Sequence, residues 1–274
     1  MLINYDIALE KLKADSADKK VLELLSAIKG FQIDDLTNLS AKQLLVVANR
    51  LEITEASVRM ALSRQTKQGK LIRESGRYTL ASLKQPFRLP RFWLDIRHRS
   101  ISWKGDWFLL NLGEHKFSPT IMRRLSRKAE LLGLAHLPSI GWVRPNNLTD
   151  LNSEVVFHFE KVTGQSDFIM GTLSDLSVTR QDKFMKAWPT AKLNTFYQEA
   201  LTFITDEQHK IKEMKDQDIL VRSFAIGRFL VEYLSNDPWL PSQMVNVADR
   251  EQLVNASMAY YQEIMPAWLS VLQE

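Results

Sequence analysis

The chain has 274 residues, 45% of them hydrophobic and 25% charged, with no cysteine and a formal net charge of +4. Those values belong to a folded globular protein and exclude disulfide scaffolds, thiolate metal sites and a cysteine nucleophile. The charge is unevenly placed, however: residues 1–53 balance to −1, residues 54–128 to +12 and residues 129–274 to −7. One region can therefore meet phosphate while another serves dimerisation or small-molecule sensing. The length allows about two domains on size alone and burial of roughly three quarters of the unfolded surface. Neither a signal-peptide core at the N-terminus nor a run of 18 apolar residues is present, which predicts a soluble cytoplasmic protein with no membrane partner.

Taken in order, Val21, Leu22, Leu25 and Ile28 form a helix-spaced stripe ending near Gly30. Ser40 with Gln43 makes a capping box ahead of a second amphipathic helix carrying Leu44, Leu45, Val47, Ala48 and Leu51. After a short turn, Thr54 caps a third helix, Glu55 sits at its positive end and Gly69 supplies its left-handed stop. Val58, Ala61, Leu62 and Gln65 form the inward stripe of this helix, and Ser57, Arg59, Met60, Ser63, Arg64 and Lys67 lie outside it. Leu71–Ser75 and Arg77–Leu80 flank Gly76 as a minimal hairpin. Helix, helix, tight turn, helix and hairpin is the order of a winged helix-turn-helix over residues 1–83. A helix fits the major groove, so outward polar side chains reach base edges while cations hold phosphates. The expected DNA contacts are Ser57, Arg59 and Ser63 near the bases, together with the cap residue Thr54. Arg64, Lys67, Lys70, Arg73 and Arg77 are expected nearer the backbone.

Residues 84–105 form a basic linker broken by Pro86 and Pro90. Phe87, Phe92, Trp93 and Trp103 alternate there with Lys84, Arg88, Arg91, Arg97, Arg99 and Lys104. Base stacking on single strands would use such a pattern; the simpler reading is that the aromatics staple the linker onto its neighbours. From 106 to 178 come an apolar strand at Trp107–Leu112, a helix at Ser118–Leu132 and strands at His136–Val143, Glu154–Phe159 and Asp167–Leu173. This pattern predicts a central ferredoxin-like α+β domain. Residues 179–274 are predicted helical, interrupted by a rigid turn at Asn236–Pro241, and are expected to act in dimerisation or effector binding. The whole chain is thus α+β.

Four segments carry a family resemblance: SVRMALSRQTKQGKLI at Ser57–Ile72, GRYTL at Gly76–Leu80, WKGDWFLLNLGE at Trp103–Glu114 and NDPWLP at Asn236–Pro241. In this order they resemble the PaaX-like regulators, repressors of phenylacetate degradation. The resemblance implies a winged helix, a central domain similar to the Cas2 fold and a helical C-terminal domain. It also implies a homodimeric bacterial repressor of an aromatic-acid catabolic operon, released from its double-stranded DNA operator by an aryl-CoA thioester. Arg222 and Arg228 are the cationic candidates for the effector. The wing is shorter than in many relatives, and Ser242–Asp249 departs from the segment expected after the turn. A regulator of another pathway, with a different effector or none, is the alternative.

A Cas2-like domain could instead be a metal-dependent nuclease, which needs clustered acids near the end of its first strand. Glu114 stands there alone. The five histidines show no i,i+3 or i,i+4 pairing, and no Gly-Lys-Ser/Thr loop or Gly-x-Ser-x-Gly elbow occurs. No enzyme activity, catalytic residue, metal or cofactor is expected.

Overall fold

In the computed structural model, residues 4–30, 38–81 and 92–273 are described, and they form an α+β protein. The linker residues Lys84, Pro86, Phe87, Arg88, Pro90 and Arg91 lie outside the described residues. Contacts divide the chain into two compact units. One comprises residues 1–92, 198–233 and 251–274, the other residues 93–197 and 234–250.

The first unit begins with α1 (Tyr5–Ala14), α2 (Ala17–Gly30), the two-residue β1 (Leu39–Ser40), α3 (Ala41–Arg50) and α4 (Glu55–Lys67). The hairpin β2 (Leu71–Glu74) and β3 (Arg77–Leu80) follows. The Ser40–Gln43 capping box is present in both directions. β1 was not predicted from the sequence, because two residues cannot show a period; it pairs with β3 through Leu39–Tyr78 and Ser40–Arg77, giving the sheet order β1-β3-β2. The core of this region is built from the predicted stripes. Val21, Leu22, Leu25, Ile28, Leu44, Val47, Ala48, Val58, Ala61 and Leu62 are all buried, each large aliphatic contributing on the order of 1.5–3 kcal/mol.

The second unit carries α5 (Phe92–Arg99), β4 (Trp107–Asn111), α6 (Pro119–Leu131), β5 (Ala135–Leu137), β6 (Gly141–Pro145), α7 (Leu151–Thr163), β7 (Ile169–Leu173) and α8 (Val178–Met185). β4 to β7 make one antiparallel sheet of order β5-β6-β4-β7. The element order β-α-β-β-α-β is that of the ferredoxin-like split. Two strand predictions are corrected. Glu154–Phe159 is helical, within α7: the alternation of Val155, Phe157 and Phe159 imitates a strand, but Leu151, Val155 and Phe159 share one helix face and are buried, while Phe157 is exposed. His136–Val143 is split into β5 and β6 by a turn in which Ser139 has φ 66°. Beneath one face of the sheet, Phe108, Leu110 and Trp142 pack with Leu125 and Ala129 of α6 and Val155 and Phe159 of α7. On the other face Trp107 is fully buried, stacked on Trp188 at 5.9 Å and edge-on to Trp103 and Phe184.

The last helices, α9 (Thr190–Ile211), α10 (Asp216–Ser235) and α11 (Val247–Gln273), fall where the sequence predicts one helical domain over 179–274. The boundaries between the two units fall inside each of these three helices. Within the first unit, α11 is tied to α3 by Gln43 Nε2 donating to the Leu272 carbonyl (3.3 Å), and to α2 by Tyr261 Oη donating to the Ala27 carbonyl (3.1 Å). No helix among the described residues is long and apolar enough to cross a membrane.

In the second unit the turn after α10 is held by a buried polar network. Asp237 accepts from Tyr197 Oη and from the Trp239 amide, each at 2.7 Å, and lies 4.0 Å from Arg250. Arg144, wholly buried, donates to the carbonyls of Leu132, Pro145 and Pro238 and to Asn147 Oδ1, while Asn147 Nδ2 donates to the Trp239 carbonyl. Burial draws the Arg144 guanidinium pKa down and pushes that of the Asp237 carboxyl up, so each charge depends on these partners.

β4 and β6 meet so closely at Gly141 that a Cβ there would lie 2.4 Å from the Leu110 carbonyl oxygen, at φ 120°. Gly141→Ala should therefore destabilise the protein by at least ~2 kcal/mol, read as a lower chemical-denaturation midpoint.

Candidate nucleic-acid interface

α4 is positioned by both of its ends. Thr54 Oγ1 accepts from the Ser57 amide at 3.3 Å, capping the first turn. At the other end Gly69, at φ 69°, lets its amide reach the Thr66 carbonyl and lets the Lys70 amide reach the Gln65 carbonyl, each at 3.0 Å. That pair of bonds is a Schellman stop. The inward stripe Val58, Ala61, Leu62 and Gln65 is buried as predicted. Thr54, Arg59, Met60, Ser63, Arg64 and Lys67 are exposed, and Ser57 is half-buried.

The hairpin turns at Ser75 (φ 49°) and Gly76 (φ 77°), with Glu74 opposite Arg77. Two consecutive positive φ values in a two-residue loop make a type I′ turn, whose twist suits the hairpin. Leu71 and Tyr78 point into the core, and Ile72, Arg73 and Glu74 are exposed.

The cations fall into three groups. Arg59 pairs with Glu55 one turn earlier (2.6 Å), and Arg64 pairs with Asp18 of α2; all four side chains are partly or largely exposed. Such pairs contribute only about 0–1 kcal/mol, so phosphate or a base edge can replace the carboxylate at little cost. Arg73 lies over the Tyr78 ring at 5.6 Å, and Arg77 is held by Asn38, with Nη2 donating to its carbonyl at 3.1 Å. Lys67 and Lys70 form no ion pair among the described residues. Asp18 and Asn38, as the partners of Arg64 and Arg77, are the residues sequence reasoning missed. They stand 46 and 39 positions away, and no local spacing signals them.

Arg222 and Arg228 are differently placed. In the first unit, Arg222 of α10 donates through Nη2 to Glu207 Oε1 at 2.7 Å and sits 4.0 Å over the Tyr5 ring. Glu207 is fully buried and also accepts from Lys210. Arg228 pairs with Asp15 and Glu23. Both guanidinium groups are thus committed to carboxylates of their own unit. Among the described residues no three His, Cys, Asp or Glu side chains gather as a metal site.

The solved structure of the uncharacterized protein Rv0674 from Mycobacterium tuberculosis has the same fold. The match has a TM-score of 0.59 and 21% identity, covering 90% of this chain and 96% of that one. No family model matches the chain. No curated protein matches it either.

Two measurements check the geometry. Thr54→Ala removes the cap of α4 and should cost ~1 kcal/mol, seen as a lower thermal midpoint with the native helical signal retained. For Glu207, burial alone would raise the pKa, but hydrogen bonds from Arg222 and Lys210 outweigh it and hold the carboxyl below its ordinary value. A depressed folded-state pKa means that Glu207 contributes stability above its unfolded pKa of about 4.5, and that this is lost as pH falls through the folded value. Unfolding followed from pH 7 downward should show this loss, and Glu207→Gln should lower stability at pH 7 while flattening the acid limb.

Proposed function

We propose that the chain is a sequence-specific, double-stranded-DNA-binding transcriptional regulator, without enzyme activity, in which α4 enters the major groove and the β2–β3 hairpin follows the backbone. The observation that carries the reading is the outer face of α4. It combines hydrogen-bonding side chains (Ser57, Ser63) with guanidinium groups whose existing ion pairs are exposed and cheap to exchange, and it continues into a hairpin carrying Lys70, Arg73 and Arg77. A solvated helix face would serve any surface. This one is rigidly stopped at both ends and joined to a tight turn, which is what register on a duplex requires. Met60 and Ile72, 56% and 40% exposed, add apolar contacts of the kind that read a thymine methyl.

The resemblance of four segments to PaaX-like regulators supports the further reading of a cytoplasmic, homodimeric repressor of a phenylacetate-type operon, relieved by an aryl-CoA thioester. Relief requires that the effector bind one quaternary arrangement better than the other. Its pyrophosphate would need cations other than Arg222 and Arg228, both of which already hold carboxylates. That commitment favours the second reading, a regulator of the same architecture with a different effector or none.

Selection of bound sequences from a random duplex library, repeated with aryl-CoA thioesters, tests both levels. Arg59→Ala should weaken the selected sequence at least ~10-fold and relax its preference over random duplex. Arg64→Ala should weaken selected and random duplexes together and lower the salt slope by about 1. Unchanged affinity in both variants, measured by gel shift, rejects base reading by α4, and a parent chain that binds no duplex rejects the DNA-binding reading; no calorimetric heat from any thioester rejects the effector.

A further inference from the structure

Between Glu114 and Glu130 the chain carries Lys116, Arg123, Arg124, Arg127 and Lys128 and no carboxylate. Four of these lie on α6, in the second unit, away from the sequence assigned to base reading. The helix buries Leu125 and Ala129 against the sheet, and Arg123, Arg124 and Arg127 are exposed on its other side, with Lys128 half-buried. Among the described residues the only hydrogen bond or ion pair of these four side chains is Arg123 Nη2 donating to Thr120 Oγ1 at 3.4 Å. Three other arginines of the unit are neutralised or saturated: Arg99 pairs with Glu154, Arg250 faces Asp237, and Arg144 makes four hydrogen bonds. Arg123 with Arg127, and Arg124 with Lys128, are like-charge i,i+4 pairs, an arrangement that works against the helix itself. Folding gains nothing from it.

We infer that this face of α6 is a second duplex-DNA contact, made to the phosphate backbone and blind to sequence. Three of its four cations are arginines, whose planar fork matches phosphate oxygens in pairs. The exposed positions Pro119, Thr120, Arg123, Arg124, Arg127 and Glu130 include no aromatic side chain, which a single strand would need for stacking. They also lack the apolar anchor that a protein interface places at its centre. What remains is a row of charges suited to a row of charges. The choice of DNA as the polyanion rests on the proposed function; the charge geometry does not.

The test measures Kd against salt for a selected and a random-sequence duplex, using the full chain and two variants. Arg123→Gln/Arg124→Gln/Arg127→Gln keeps good helix formers on the surface and removes both like-charge pairs, so the helical signal should be retained and the melting temperature should not fall. Each lost phosphate contact removes about 0.9 from the slope of log K on log salt. The Gln variant should therefore show a slope lower by about 2–3 on both duplexes, with the ratio between them intact, and the matching triple Lys variant should keep the parent slope. An unchanged slope in the Gln variant overturns the inference. So does loss of polyglutamate binding without loss of duplex binding, which would assign the face to an acidic protein. Arg59→Ala/Arg64→Ala is measured alongside. If it leaves sequence preference intact while the Gln variant flattens the slope, α4 base reading fails and the α6 contact stands. A parent chain that binds no duplex overturns both.

Discussion

The polar outer face of α4 exists because its inner face is closed. Val58, Ala61, Leu62 and Gln65 are buried against the first unit's core, and that stripe fixes the rotation of the helix about its own axis. With the rotation set, Ser57, Arg59, Ser63, Arg64 and Lys67 have to face outward whatever their own preferences. The Thr54 cap and the Gly69 stop then fix where the helix begins and ends. A helix whose rotation and ends are both specified can hold a register on a duplex; a frayed or rolling one would place the same side chains at random.

Burial separates the charges that can serve an interface from those that serve the fold. Arg59 and Arg64 are more than half exposed in their ion pairs, where solvent already competes with the carboxylate and exchange costs little. Arg222 and Arg144 are held by groups out of water, and removing such a partner strands a charge at a cost of ~3–5 kcal/mol. The same residue type therefore plays opposite parts. The arginines of α6, which form no ion pair among the described residues, belong with the first kind, and the guanidinium groups of α10 with the second.

The turn at Asn236–Pro241 is held largely by its backbone and by Asp237. Asp237 caps the Trp239 amide and holds Tyr197, while the carbonyls of Pro238 and Trp239 are taken by Arg144 and Asn147. Trp239 is left at φ 50°, a backbone strain that this surrounding network holds in place. Gly133 belongs to the same joint, since a Cβ there would lie 2.8 Å from the Pro238 carbonyl oxygen.

Local signals were legible in the residues alone. The capping box at Ser40, the Thr54 cap, the stop at Gly69, the inward stripe of α4 and the hairpin around Gly76 each depend on neighbours within about seven positions, and all are present. The strand reading of Glu154–Phe159 failed because Val155, Phe157 and Phe159 satisfy periods of 2 and 4 at once, and only packing on the sheet decides between them. Asp18 beneath Arg64, Asn38 on Arg77 and Glu207 on Arg222 were likewise decided by tertiary structure. So was the division of residues 179–274 between two units. Sequence periodicity determines which face of an element is apolar, because that depends on geometry along one element. Which carboxylate meets which guanidinium depends on how elements separated in the chain come together, and that information is not carried by any local pattern.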